Sequence, residues 1–445
     1  MVLGEEQAIA LDKIKDFILN SSDTCFSLYG PAGSGKSVAI SYIIKFLVDI
    51  GRDYALCAPT HKAALVMRSY TEEEAMTLHS LLALSPKLDI FELDLRDLMF
   101  ESGKKTNRIV YNGVVIIDEA SMINDDLFDT LITQCEKKNA KVIFISDSKQ
   151  LAPVKSKTYS KVYTVKNKFG LTKIYRQDKN NPIRDLLETL RRHPVDVVDS
   201  CSSEHGKILR INDIKEFLKI SKERFQSISK TKNPLEFKIL AFTNAQVEKY
   251  NTIMSSLLYG KEIEYSVGEV LTAYCNGTYS SFSYYNSMDY IITEVSKTNQ
   301  LVGLTDFKGY ILSLYDPYEK ANFNIFMLSR DNSKDKFTEL AAQVERIRIS
   351  AIKETNTKKR AMYWRMYYEI FESFTSPINI EFDGRIVIPK DFDYGYAQSI
   401  HRSQGSSYNE VAIDWSNINQ CRDTEFKRQL QYVAASRTRT NIYLR

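Results

Sequence analysis

Residues 30–37 read GPAGSGKS, and their surroundings decide whether they form a phosphate cradle or an ordinary tight turn. A cradle of the form GxxxxGK[ST] needs a buried strand running in and a helix running out. It wraps phosphate in backbone N–H groups and points a helix N-terminus at the anion. Cys25 to Tyr29 is an apolar run of strand length, and Val38 to Val48 carries Ile40, Ile43, Ile44, Leu47 and Val48 at helical spacing. Both flanks are present. Gly30, Pro31, Ala32, Gly33, Ser34 and Gly35 then form the cradle, Lys36 reaches the β- and γ-phosphates of ATP, and the Ser37 hydroxyl holds Mg²⁺.

Working outward, short continuous apolar runs recur at Tyr54 to Ala58, Val114 to Ile117 and Val142 to Ile145, with helical patterns between them. Such runs suit parallel strands buried on both faces, which predicts an α/β sheet. A second set, Phe237 to Phe242, Val411 to Trp415 and Asn441 to Leu444, predicts a second core. Between them the chain changes character. The segment from about 270 to 390 is rich in Tyr, Phe and Ser, with short strands expected at Tyr290 to Val295 and Leu301 to Asp306 and one or two exposed helices over Asp335 to Ser373. It reads as an insertion into the second core, and a smaller excursion lies between Ser80 and Asn112. The expected division is 1–80 with 113–175, 81–112, 176–269 with 390–445, and 270–389.

The 445 residues are 43% hydrophobic and 26% charged, the balance of a water-soluble globular chain, and the net charge of +4 announces no strongly basic tail. Six cysteines stand singly with no CxxC pair, so a reduced cytoplasmic protein without structural zinc is expected. The opening MVLGEEQAIALDKIKDF carries acids where a secretory signal carries cations, and no apolar stretch approaches the ~20 residues of a membrane helix.

A phosphate loop alone serves kinases, GTPases and motors alike. In VVIIDEAS, residues 114–121, four apolar residues deliver Asp118 and Glu119 to the carboxyl edge of the sheet, where open α/β sheets bind ligands. There Asp118 can hold Mg²⁺ through water and Glu119 can activate the attacking water. FISDSKQLAPV, residues 144–154, then places Gln150 after a third strand, where a glutamine senses a γ-phosphate or holds the lytic water.

GPAGSGKS, APTHKAA, TLHS, IIDEAS, SDSKQLAPV, LTKIYRQ, YAQSIHRSQGSSY and YVAASRTR follow one another in the order of the superfamily 1 helicase motifs. The chain resembles the RecD-like branch of that family, in its phage Dda type, over residues 1 to about 250 and again from about 385 to 445. The resemblance implies two RecA-like cores, with a pin-like insertion in the first and an SH3-like module with a helical projection in the second. It implies an ATP-dependent helicase that moves 5′ to 3′ along single-stranded DNA and opens duplex junctions, as a monomer, alongside replication or recombination proteins. Residue by residue, Gln7 matches the adenine-reading glutamine, Gln404 and Gly405 the nucleotide-facing turn of the second core, and Arg176 and Arg437 the two arginines that complete the site from across the cleft. Arg439 lies beside Arg437, which motif register favours.

The implied DNA track comprises Pro59, Thr60, His61, Lys62, Thr77 and His79 on the first core, with Thr243, Asn244, Ser399 and His401 on the second. Small hydroxyls and imidazoles suit phosphate contact and base stacking without sequence readout. Leu98, Met99 and Phe100 would tip the pin, or else pack on their own domain. The sequence departs from the family at Ser146, Ala152 and Ser436, small changes that leave Gln150 and Arg437 in place. Two other functions stay open: an RNA-dependent helicase, and an ATP-switched nucleic-acid-binding protein without processive unwinding.

Overall fold

A computed structural model describes residues 3–86, 100–102, 107–147, 149–151, 160–174, 180–260, 263–280 and 282–445. The first core is a six-stranded parallel sheet in the spatial order Ala75–Thr77, Tyr54–Ala58, Val114–Ile117, Lys141–Ser146, Cys25–Tyr29 and Asn167–Gly170. Because successive side chains alternate across a strand, each run feeds two cores. Ile143 and Ile145 pack toward the helices Glu5–Asn20 and Lys36–Asp49, whereas Val142 and Phe144 pack toward Asp125–Lys137. Ile40, Ile43 and Leu47 of the helix leaving the phosphate loop are fully buried, each contributing about 2 kcal/mol of transfer free energy.

The second core repeats the plan in the order Ala397–Ser399, Phe237–Ala241, Tyr408–Ile413, Thr438–Leu444, Gly206–Arg210 and Cys201–Ser203. Its pairs are parallel except the last, a short antiparallel edge strand. Leu240, Val411 and Ile413 face one apolar cluster, and Ile239 and Ala412 face the other. The α/β architecture with two parallel-sheet cores is therefore as the sequence predicts.

The inserted segment forms a five-stranded antiparallel sheet ordered Ala321–Leu328, Thr305–Asp316, Asp289–Val302, Val270–Ala273 and Phe392–Tyr394, followed on its flank by the helices Lys334–Lys353 and Thr357–Phe371. Phe392–Tyr394 belongs to this sheet, so the insertion closes beyond residue 389. Two strand expectations are corrected. Leu301 to Asp306 is not one strand but the end of the long ribbon, where Leu301 and Val302 pair with Asp306 and Thr305 across a two-residue turn at Gly303 and Leu304, with Gly303 at φ 60°. Val411 to Trp415 stops as a strand at Ile413, because the Asp414 carboxylate accepts the Asn417 N–H at 3.0 Å and starts the helix Trp415–Asn419.

Between the first-core elements, Leu84–Pro86 pairs antiparallel with Phe100–Ser102. Leu98, Met99 and the side chain of Phe100 lie outside the described residues. No helix among the described residues is long and apolar enough to cross a membrane.

Candidate nucleotide site and nucleic-acid face

The loop after Cys25–Tyr29 is shaped by close approach. A Cβ on Gly30 would stand 2.8 Å from both Leu171 Cβ and Ser34 Oγ, so only glycine fits. Gly35 takes φ +80° and starts the helix Lys36–Asp49. Beneath it lies Gln7, whose Nε2 donates to the Ser34 and Gly35 carbonyls at 3.1 and 3.3 Å while Oε1 accepts the Gly4 N–H at 2.9 Å. The glutamine thus braces the phosphate loop, and reading adenine would require those bonds to be exchanged. Lys36 Nζ donates to the Gly30 and Pro31 carbonyls at 2.8 and 2.9 Å, which folds the ammonium back over the cradle.

At the end of Val114–Ile117, Asp118 Oδ1 accepts the Glu119 N–H at 2.8 Å and Oδ2 accepts the Tyr70 hydroxyl at 2.9 Å. Tyr70 also hydrogen-bonds Ser37, so Ser37 and Asp118 share a neighbour, and their oxygens are the donor set a hard cation such as Mg²⁺ prefers. Glu119 adopts φ 51°, a left-handed backbone unusual for a side chain of its kind. Burial raises its carboxyl pKa first and Asp118 second, against the pull of Arg437 and Lys36, with Asp147 adding to the rise. Lys36, Asp118, Asp147 and a second-core arginine therefore act on one carboxylate.

Arg437 is 4% exposed, held by the carbonyls of Val433, Ser403 and Ser406 and by Ser436 Oγ. Arg176 lies outside the described residues. The cores touch elsewhere too. Leu151 joins the apolar cluster of the second core, and a Cβ on Gly405 would meet Ala63 Cβ at 3.3 Å. Tyr432 of the helix Thr424–Ser436 accepts the Ala32 N–H at 3.2 Å and donates to Asp147 Oδ2 at 2.8 Å. Ser34 Oγ, Gln150 Oε1 and Gln404 Nε2 are buried with no hydrogen-bond partner among the described residues; the first and last can donate to a phosphate-bearing ligand, whereas Gln150 Oε1 can only accept, as from a water.

The expected DNA-facing residues divide. Thr60, Thr77 and Thr243 are helix N-caps, their hydroxyls accepting the N–H groups of Ala63 and Ser80 at 3.2 Å and of Gln246 at 3.4 Å. Each oxygen first serves its helix, which corrects the picture of hydroxyls simply held out to phosphate. Lys62 is a clear correction: it is 2% exposed, 3.7 Å from Asp289 Oδ2, and donates to the Ser287 carbonyl at 3.0 Å. Lys238 approaches the same Asp289 oxygen at 3.0 Å, so one carboxylate of the insertion pairs with a lysine from each core.

His61 stacks on Tyr285 of the insertion with centroids 4.0 Å apart, and burial holds both His61 and His79 below the ordinary imidazole pKa. Pro59 is half-buried and Asn244 exposed. Ser399 is buried and accepts the Arg402 N–H at 3.4 Å, and His401 is half-buried beside Phe426. Tyr70, Asp147, Lys238, Tyr285, Asp289 and Tyr432 were not singled out from sequence. Asp147 and Tyr432 stand inside quoted motifs, and that position was the available signal.

Two parallel-sheet cores, one bearing a phosphate loop with an acidic strand end and the other an arginine acting on that acid, define a two-core phosphate-loop nucleotide hydrolase. The AAA domain family model matches residues 2–213, and the UvrD-like helicase C-terminal domain matches residues 394–444. The chain is 26% identical to the ATP-dependent DNA helicase dda of Enterobacteria phage T4, over 94% of this chain and 93% of that one. It is 24% identical to an uncharacterised protein of Acanthamoeba polyphaga mimivirus, over 98% of each. The solved structure of Pif1 helicase from Bacteroides in complex with ADP-AlF3 and ssDNA superposes with a TM-score of 0.51 at 19% identity, covering 100% of this chain and 92% of that chain. These matches make the chain similar to superfamily 1 helicases of the RecD and Dda type.

Proposed function

We propose that this protein is an ATP-dependent DNA helicase that moves 5′ to 3′ along single-stranded DNA and opens duplex ahead of it. The observation that carries the reading is the direct bonding of the second core to the phosphate-loop side of the first, through the Tyr432 hydroxyl to the Ala32 N–H and Asp147, on the helix that ends at Arg437, with Arg437 and Lys36 drawing the buried Glu119 carboxyl toward its charged form. A base and a charge-stabilising guanidinium on opposite walls form a complete site only when the cores are together, so a hydrolytic cycle becomes a cycle of closure and release.

Lys36 neutralises phosphate charge, Glu119 takes a proton from the attacking water, Gln150 orients that water, and Arg437 stabilises charge on the transferring group. Ser37 and Asp118 would hold Mg²⁺, which supplies charge neutralisation at the phosphates. Arg176 is assigned the second arginine role by motif alone. The capped helices at Thr60, Thr77 and Thr243 and the half-buried imidazoles of His61, His79 and His401 form the single-strand path. Leu98, Met99 and Phe100 are assigned to the strand-splitting tip.

The test is strand displacement from partial duplexes with a 5′ or a 3′ single-stranded tail. Unwinding of the 5′-tailed substrate is expected. Preference for the 3′ tail would reverse the polarity, and normal ATP hydrolysis with no displacement from either would favour an ATP-switched binding protein.

A further inference from the structure

Tyr432 belongs to the second core, yet its hydroxyl is bonded to the phosphate loop of the first. It accepts the Ala32 N–H at 3.2 Å and donates its proton to Asp147 Oδ2 at 2.8 Å. The ring is 1% exposed, and burial together with the neighbouring Asp147 carboxylate holds its pKa well above the ordinary phenol value, so the hydroxyl keeps the proton it donates. Asp147 is not a passive anchor. It is itself 1% exposed, its Oδ1 accepts the Lys149 N–H at 3.0 Å, and its carbonyl accepts the Gln150 N–H at 3.2 Å. One hydroxyl therefore links a cradle amide, the loop carrying Gln150 and the helix that ends at Arg437.

We propose that Tyr432 is a positioning residue that couples phosphate binding in the cradle to the relative placement of the two cores. The inference rests on the nucleotide reading of the loop and extends it to regulation of the same site. The Ala32 N–H has one proton to give. If a phosphate oxygen takes it, the Tyr432 hydroxyl is left with Asp147 alone, and the helix leading to Arg437 loses its direct tie to the loop. If the hydroxyl keeps it, the cradle has one amide fewer for the anion. The two partners compete, and that competition carries information between the cores.

Binding of a fluorescent ATP analogue in the absence of DNA tests this without recourse to turnover. Tyr432→Phe keeps the ring and removes the competitor, so the analogue should bind more tightly, by about twofold to tenfold for one net hydrogen bond. The analogue should also change the affinity for single-stranded DNA less than it does in the unaltered protein. Thermal denaturation verifies that the variant is folded. Should it not fold, Asp147→Asn weakens the acceptor that holds the hydroxyl in place and should tighten binding in the same direction. Unchanged or weaker analogue binding in a folded variant overturns the coupling role. Failure of the unaltered protein to bind the analogue overturns the nucleotide reading itself, a result distinguishable from the first.

Discussion

Glu119 occupies a left-handed backbone position immediately after the strand Val114–Ile117, with Asp118 hydrogen-bonded to its N–H. Strain of this kind persists where the surroundings fix a side chain for a task; here Asp118 accepts the Tyr70 hydroxyl, and the buried Glu119 carboxyl feels the charges of Arg437 and Lys36. Glu119→Gln should therefore retain nucleotide binding while losing turnover by about a hundredfold or more, measured as single-turnover hydrolysis beside analogue binding. Retained hydrolysis would assign the base elsewhere. The residues that fill fixed motif places, Lys36, Asp118, Glu119 and Gln150, were legible because their chemistry demands those types at those spacings. Tyr70 and Tyr432 were not, since a tyrosine on an amphipathic helix reads as packing until its hydroxyl partner is known.

At the scale of elements, the threonines of APTH, TLHS and FTNA each begin a helix and cap it. Thr60→Ala should cost about 1 kcal/mol of stability by leaving the Ala63 N–H without its side-chain acceptor, whereas Thr60→Ser should restore it. Chemical denaturation distinguishes the two, and equal loss in both variants would mean the methyl group matters more than the cap. Strands were legible wherever an apolar run is buried on both faces. Leu301 to Asp306 misleads because apolar residues continue through the turn, where Leu304 is 81% exposed. Trp415 misleads because a large apolar residue there opens a helix rather than extending a strand.

Across the whole molecule, Lys62 of the first core, Lys238 of the second and Asp289 of the insertion meet in one buried cluster, with Thr272 donating to Asp289 Oδ1 at 2.5 Å. Burial opposes ionisation of Asp289, yet the two lysines hold its pKa below the ordinary carboxylate value. Asp289→Asn would leave two buried ammonium groups facing each other without a counter-charge, a loss of about 3–5 kcal/mol in denaturant unfolding. A loss below about 1 kcal/mol would show that hydrogen bonds to the Ser287 and Gly395 carbonyls suffice for the lysines. No motif announced this junction: Lys62 sits in APTHKAA and was assigned to the DNA path, because sequence shows the motif but not the insertion strand that covers it.

The central claim is that the two cores form one hydrolytic site and that DNA governs it. Steady-state ATP hydrolysis by the purified protein, with and without single-stranded DNA or RNA and beside Arg437→Ala, tests it most directly. Strong stimulation by DNA that falls by about a thousandfold in the variant is the predicted result. Hydrolysis indifferent to either polymer, or an Arg437→Ala variant as active as the unaltered protein, would contradict it.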